Sequence, residues 1–190
     1  MGRTRKPDRL DWEEQFVAYY LARGAILRRT AFLLCGDWHL AEDLTQTTFV
    51  NLYRAWRRIE RHEVLDQYAR RVLLRAFLDH RRRPWRRDVV AAPDNPHLDA
   101  EIWHDRGPEE RMVLRTALLR LSNRRRAVLV LRFWADLSVD QVADVLRCPV
   151  GTVKSQTARG LAELREILGG HLDDLASPGR RWGSRTVDQV

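Results

Sequence analysis

Arg71, Arg75 and Arg82 fall within about 40° of one another on a helix that turns ~100° per residue. Val72, Leu73, Ala76 and Phe77 fall between about 100° and 240° from Arg71 on the same wheel. One face would be guanidinium and the other apolar, so the helix could rest on a core and grip phosphates. Arg70, Arg81, Arg83, Arg86 and Arg87 widen the basic zone. Tyr68 and Trp85 read in two ways: as platforms on which bases stack, or as core aromatics. A second set lies far along the chain: Thr152, Lys154, Ser155, Thr157 and Arg159. Short donors and cations on the outward turns of a helix start suit base edges and phosphates. A plain amphipathic helix pair with a solvated outer face would satisfy part of this pattern.

Helices must position both sets. Helical periodicity is widespread, and no strand hairpin is evident. Residues 11–34 read as one or two helices, with Gly24 a possible break. Gly36-Asp37 ends that run, and Asp37 suits the cap of a helix over 38–59. In that helix Leu40, Leu44, Leu52, Trp56 and Ile59 form one stripe, flanked by Ala41 and Phe49. A loop at 60–66 precedes a helix at 67–83, and further helices are expected at 109–121, 124–134, 138–146 and 150–167. Residues 138–156, SVDQVADVLRCPVGTVKSQ, fit a helix-turn-helix. Ser138 would cap its first helix, Val139, Val142, Val145 and Leu146 would be buried, and Ala143 is small where the helices cross. Val150 and Val153 would face inward from the second helix. Most such turns place Gly where this chain has Arg147, and a positive φ there would cost Arg ~1 kcal/mol. Pro149 stands where a Ser cap is common.

Composition excludes several classes. The 190 residues carry 34 basic and 26 acidic side chains, a net charge of +8, which favours polyanionic partners. Only Lys6 and Lys154 are lysines; Arg serves phosphate binding, but a GC-rich genome gives the same bias. No apolar run approaches a membrane span, and MGRTRKPDRLDWEE has no secretory core, so a cytoplasmic protein without membrane insertion is expected. Cys35 and Cys148 form no CxxC and read as small buried hydrophobes. The six histidines show no metal-ligand spacing, and no phosphate-cradling or nucleophile motif occurs. Neither metal, cofactor nor catalytic residue is expected, and the chain does not read as an enzyme.

Charge divides the chain. Residues 1–87 carry net +8, 88–110 net −6 and 111–168 net +6. The acidic piece holds three of the seven prolines and reads as a flexible linker between two basic helical domains. The expected organisation is a disordered N-terminus at 1–10, a domain at 11–87, the linker at 88–110, a helix-turn-helix domain at 111–168 and a flexible tail at 169–190.

LSVDQVADVLRCPVGTVKSQTARGLAELRE resembles the promoter-reading helix-turn-helix of bacterial sigma factors. GDWHLAEDLTQTTFVNLYRAWRRI resembles the segment of that family, D-A-E-D-L-x-Q-E-x-F-x-x-A, that binds core RNA polymerase. Two motifs in the right order, in a chain of this size without intermediate domains, resemble the extracytoplasmic-function group of the sigma-70 family. The resemblance implies an all-α protein of two small domains, monomeric when free, that binds core polymerase through its β′ coiled coil and β subunit. Asp43, Gln46 and Thr47 would dock on the coiled coil; Thr47 stands where the family usually has an acidic residue. Tyr68, Arg71, Arg75 and Arg82 would hold the melted −10 strand, and the loop Arg61–Gln67 would shape a pocket for a flipped base. Thr152, Lys154, Ser155, Thr157 and Arg159 would read the duplex −35 element, and an anti-sigma factor is a possible partner. Two competing classes remain: a stand-alone helix-turn-helix regulator of duplex DNA, and a nucleic-acid-processing enzyme.

The linker sets a length condition. Its 23 residues reach roughly 75–80 Å fully extended. As a relaxed coil they span only about 25–29 Å, against ~34–36 Å for one turn of DNA. An acidic segment between basic domains should favour a compact free chain, which core binding would draw open.

Overall fold

Five consecutive residues of the first helix, Thr30, Ala31, Phe32, Leu33 and Leu34, are all buried. Successive residues of a helix point in different directions, so such a stretch must be covered on every side. The computed structural model, which describes residues 9–59, 65–82 and 107–169, shows what covers it. Helix α1 (Arg9–Cys35) packs against α2 (Trp38–Ala55) and α3 (Leu65–Arg82). It also meets α4 (Pro108–Arg120), α5 (Asn123–Leu129) and a π-helical turn (Val130–Trp134) from the second half of the chain. Helices α6 (Val139–Leu146) and α7 (Val150–Leu168) complete the fold. The described residues contain no strand, so the architecture is all-α as expected.

The helix ends follow from local chemistry. α1 runs through Gly24 without a break and stops at Gly36, whose φ of 75° suits only glycine well. Asp37 then accepts a hydrogen bond from the Leu40 N–H at 3.0 Å and starts α2. Along α2, Ala41, Leu44, Phe49 and Leu52 are buried, and Trp56 continues them; Leu40 and Ile59 are half-buried. The last part of the expected 38–59 helix is instead a 3₁₀ turn, Trp56–Arg58. Phe16 of α1 packs edge-on against Phe49, Tyr53 and Trp56, which fixes α1 against α2. α4 begins with Pro108 in its first turn, inside the segment assigned to the linker, where Glu109 and Glu110 complement the helix dipole. Residues 88–106 of that segment and 170–190 of the expected tail lie outside the described residues, as do 1–8; Arg9 and Leu10 are helical.

In place of a single helix over 124–134, the chain widens into the π turn after Leu129. The Ala135 N–H donates to the Val130 carbonyl at 3.0 Å, and the Arg132 guanidinium donates to the Leu137 carbonyl. The helix-turn-helix follows. Ser138 and Gln141 form a reciprocal capping box: the Gln141 N–H donates to Ser138 Oγ at 3.1 Å, and the Ser138 N–H to Gln141 Oε1 at 2.7 Å. Val142, Ala143 and Val145 are buried in α6, and Val153 in α7; Val139 and Leu146, also expected inside, are half-buried at the two ends of α6. Val150 does not face inward; at the first position of α7 it is 37% exposed, ahead of the turn that meets α6. Gly160 lets α7 cross α5 closely, since a Cβ there would lie 3.1 Å from Leu129 Cδ1.

Arg147 is left-handed, with φ 50° and ψ 55°. The Cys148 N–H donates to the Ala143 carbonyl at 3.0 Å, and the Arg147 N–H to Asp144, the pairing of a Schellman end. Glycine fills this position without steric cost, while an L-residue is disfavoured by roughly 1–2 kcal/mol. Arg147→Gly should therefore stabilise the chain by about 1 kcal/mol, seen as a higher denaturant midpoint at unchanged slope. A lower midpoint would show that the Arg147 side chain contributes more than its backbone costs.

Candidate functional site

The exposed side of α7 is built by its first turns. Lys154, Ser155 and Arg159 are exposed, while buried Val153 holds the opposite side against α6. Thr152 and Thr157 are half-buried, and Thr157 Oγ1 donates back to the Val153 carbonyl at 2.8 Å. Ser155 Oγ likewise donates to the Thr152 carbonyl at 3.0 Å but stays exposed. The five residues thus share one helix start, with Lys154, Ser155 and Arg159 the outward ones. Arg125 of α5 pairs with Glu163 at 2.5 Å and ties the far part of α7 to the domain.

Asp43, Gln46 and Thr47 are all exposed, one turn apart on α2 and opposite its buried stripe. Exposed Val50 and Tyr53 continue that side of the helix.

On α3 the two-faced pattern is present. Leu65, Ala69, Leu73, Leu74 and Phe77 are buried, and Arg75 is exposed, 3.8 Å from Asp79 one turn on. Arg71 is half-buried. Tyr68 is also half-buried and packs against the shared core, so its ring serves packing as well as any stacking role. Arg82 is the last residue of α3, but its side chain lies outside the described residues, as does that of Arg81. Arg83, Trp85, Arg86 and Arg87 lie outside them too, and so does most of the Arg61–Gln67 loop.

A cluster that sequence reading missed fixes the start of α3. Tyr19 donates its hydroxyl to Asp66 Oδ1 at 3.0 Å, and Arg23 lies 3.2 Å from Asp66 Oδ2. Tyr19 and Arg23 are one turn apart on α1 and 47 and 43 residues from Asp66, so no local pattern announces them. The three tie the first turn of α3, and with it the basic face, to α1. Burial first, and then the Asp66 charge, push the Tyr19 hydroxyl above its ordinary value.

Cys35 and Cys148 are both free and half-buried rather than fully buried. The Cys35 thiol donates to the Asp37 carbonyl at 3.1 Å, and burial pushes it up to about 12, so it is inert as a nucleophile. Among the described residues no group of His, Cys, Asp and Glu could hold a metal ion, and no helix is long and apolar enough to cross a membrane.

These surfaces occur together in known proteins. Residues 16–87 match sigma-70 region 2, and residues 111–164 match sigma-70 region 4. The RNA polymerase sigma-E factor of Streptomyces coelicolor is 35% identical over 156 residues, 81% of this chain and 86% of that protein. The chain belongs to the sigma-70 family. Its relatives include the extracytoplasmic-function sigma factor SigL of Mycobacterium tuberculosis, 32% identical over 160 residues, 80% of this chain and 87% of that one. The solved structure of the sigma factor RpoE with the anti-sigma factor NepR from Bartonella quintana shares the fold. Its TM-score is 0.69 at 22% identity, over 83% of this chain and 98% of that one. CnrH in complex with the cytosolic domain of CnrY gives a TM-score of 0.61 at 21% identity. The chain is thus an extracytoplasmic-function sigma factor: it binds core RNA polymerase and directs promoter-specific initiation. A stand-alone duplex regulator is not favoured, because the region 2 match spans α1 to α3.

The Asp66 cluster can be tested through Tyr19. A raised folded-state value means the sigma factor keeps this stabilisation below tyrosine's ordinary pKa of 10.0 and loses it as pH rises past that point. Asp66→Asn removes the charge but not the burial. Tyrosinate absorbance should then show Tyr19 titrating lower than in the unchanged chain, yet still above the ordinary value. An unchanged titration would mean that Asp66 does not act on Tyr19.

Proposed function

We propose a division of labour among the described surfaces. Asp43, Gln46 and Thr47 on α2 dock on the β′ coiled coil, with further contact to the β subunit. Tyr68, Arg71, Arg75 and Arg82 on α3 hold the unpaired −10 strand. Thr152, Lys154, Ser155, Thr157 and Arg159 at the start of α7 meet the duplex −35 element. The observation that carries this reading is the simultaneous exposure of Asp43, Gln46 and Thr47 on one helix and of Lys154, Ser155 and Arg159 on another. The protein acts in the cytoplasm with core polymerase, which performs all covalent chemistry. Capture of flipped bases and of the exposed strand offsets an unstacking cost of a few kcal/mol. Residues 11–87 and 111–168 are the two working domains, with 88–110 joining them. An anti-sigma factor is a further partner, by analogy with the complexes of RpoE with NepR and of CnrH with CnrY.

The test is run-off transcription with core polymerase on genomic fragments. Asp43→Ala with Gln46→Ala should lower transcript yield and core capture while leaving helicity intact. Lys154→Ala should retain core capture but lose promoter affinity, and its salt dependence should flatten by about one counterion. Core capture at full strength by the folded double variant would overturn the docking face. An unchanged salt slope would remove Lys154 from the phosphate contacts.

A further inference from the structure

The four residues proposed to hold the −10 strand share one side of α3, and a polar tether grips the other. Counted at ~100° per residue from Asp66, the positions of Tyr68, Arg71, Arg75 and Arg82 fall between about 140° and 200° around the helix. Asp66, in the first turn, is directed the opposite way, toward α1. Its Oδ1 accepts the Tyr19 hydroxyl at 3.0 Å, and its Oδ2 lies 3.2 Å from Arg23 Nη2. Tyr19 is held in turn by α2. Its ring lies 5.5 Å from that of buried Trp56 and 6.4 Å from that of buried Phe49. The tether therefore joins the back of α3 to both helices on which the first turns of α3 rest.

Apolar packing alone leaves the rotation of α3 loosely set. Leu65, Ala69, Leu73 and Phe77 bury its inner side, and such burial is non-directional. A hydrogen bond is directional and weakens steeply as its angle closes. Turning α3 by about 30° would carry its rim through about 3 Å, the length of a hydrogen bond, and so decide whether a guanidinium meets a phosphate. Direct contact with the strand does not explain Asp66, because a carboxylate repels phosphate and this one faces away from the four strand residues.

We propose that Tyr19, Arg23 and Asp66 are positioning residues for strand capture: their tether sets the rotation of α3 at which Tyr68, Arg71, Arg75 and Arg82 meet the unpaired −10 strand. None of the three touches nucleic acid. This role rests on the strand-holding reading of α3 and adds what orients that face. When the tether is cut, only the fraction of α3 still correctly turned captures the strand, and the apparent affinity falls with that fraction.

The experiment measures three affinities of the full-length chain. One is for core polymerase. The other two, taken with the assembled holoenzyme, are for a duplex −35 fragment and for a single-stranded −10 oligonucleotide of the promoter that run-off transcription recovers. Tyr19→Phe keeps the ring against Phe49 and Trp56 and removes the hydroxyl. It should weaken strand binding by about fivefold and leave the other two affinities unchanged. Asp66→Asn tests the sign. Removing an anion from a basic helix should tighten strand binding if charge alone counts, and loss of the Arg23 pair should weaken it if orientation counts. In an Asp66→Ala background, Tyr19→Phe should have no further effect, because both act through one bond. Unaltered strand binding by folded Tyr19→Phe, under conditions where Arg75→Ala weakens it, would overturn the tether. An equal fall in all three affinities would overturn it too, since general loosening would explain that result. Failure of the unchanged holoenzyme to bind the strand would count against the strand-holding reading of α3 instead.

Discussion

Phe32 is the residue on which both halves depend. Trp38 stacks on its ring and Arg115 lies over the same ring, so residues of the first and second halves of the chain meet on this one side chain. The burial of Thr30 to Leu34 all round α1 is the wider form of the same constraint. A helix that is apolar on every side cannot be satisfied by α2 and α3 alone; α4, α5 and the π turn supply the rest. Everything that positions the working surfaces follows from this arrangement. α2 is set by the corner at Gly36, α3 by Tyr19 and Arg23 of α1, and α7 by its packing on α5 and α6.

The joint combines strong and weak elements. Apolar burial is non-directional, so it holds the halves together without fixing their register. The Arg115 hydrogen bond and the Leu119 contact at Gly36 are directional and fix it. Burial also lowers the Arg115 pKa, a sign that the guanidinium has given up solvent to sit there. Polar groups used this way define one packed arrangement of the two halves. The exposed start of α7 and the exposed side of α2 remain accessible while the joint is shut.

Much of this was legible in the sequence because it is local. The apolar stripe of α2, the Asp37 and Ser138 caps and the buried positions of α6 depend on residues a few places apart. The left-handed Arg147 was legible too, since the helix-turn-helix spacing forces that conformation whatever residue stands there. Exposure of Asp43 and Gln46 followed from their angle to the stripe. The failures are of two kinds. Val150 was placed inside on residue type, but a first-turn position precedes the crossing. The π turn, in which Val130 and Leu131 are buried, stands where a plain helix was expected. Non-local pairs could not be read at all. The Tyr19–Asp66 bond and the Arg115–Gly36 bond each join residues that share no periodicity, and charge composition pointed only to a compact chain, not to which groups close it.

The central claim is that the halves are closed together in the free chain and part on core binding. Energy transfer reports this directly, with labels at exposed Leu21 on α1 and exposed Arg165 on α7. The account predicts efficient transfer in the free chain and a large drop when core polymerase is added. Transfer that stays equally efficient in the polymerase complex would contradict it.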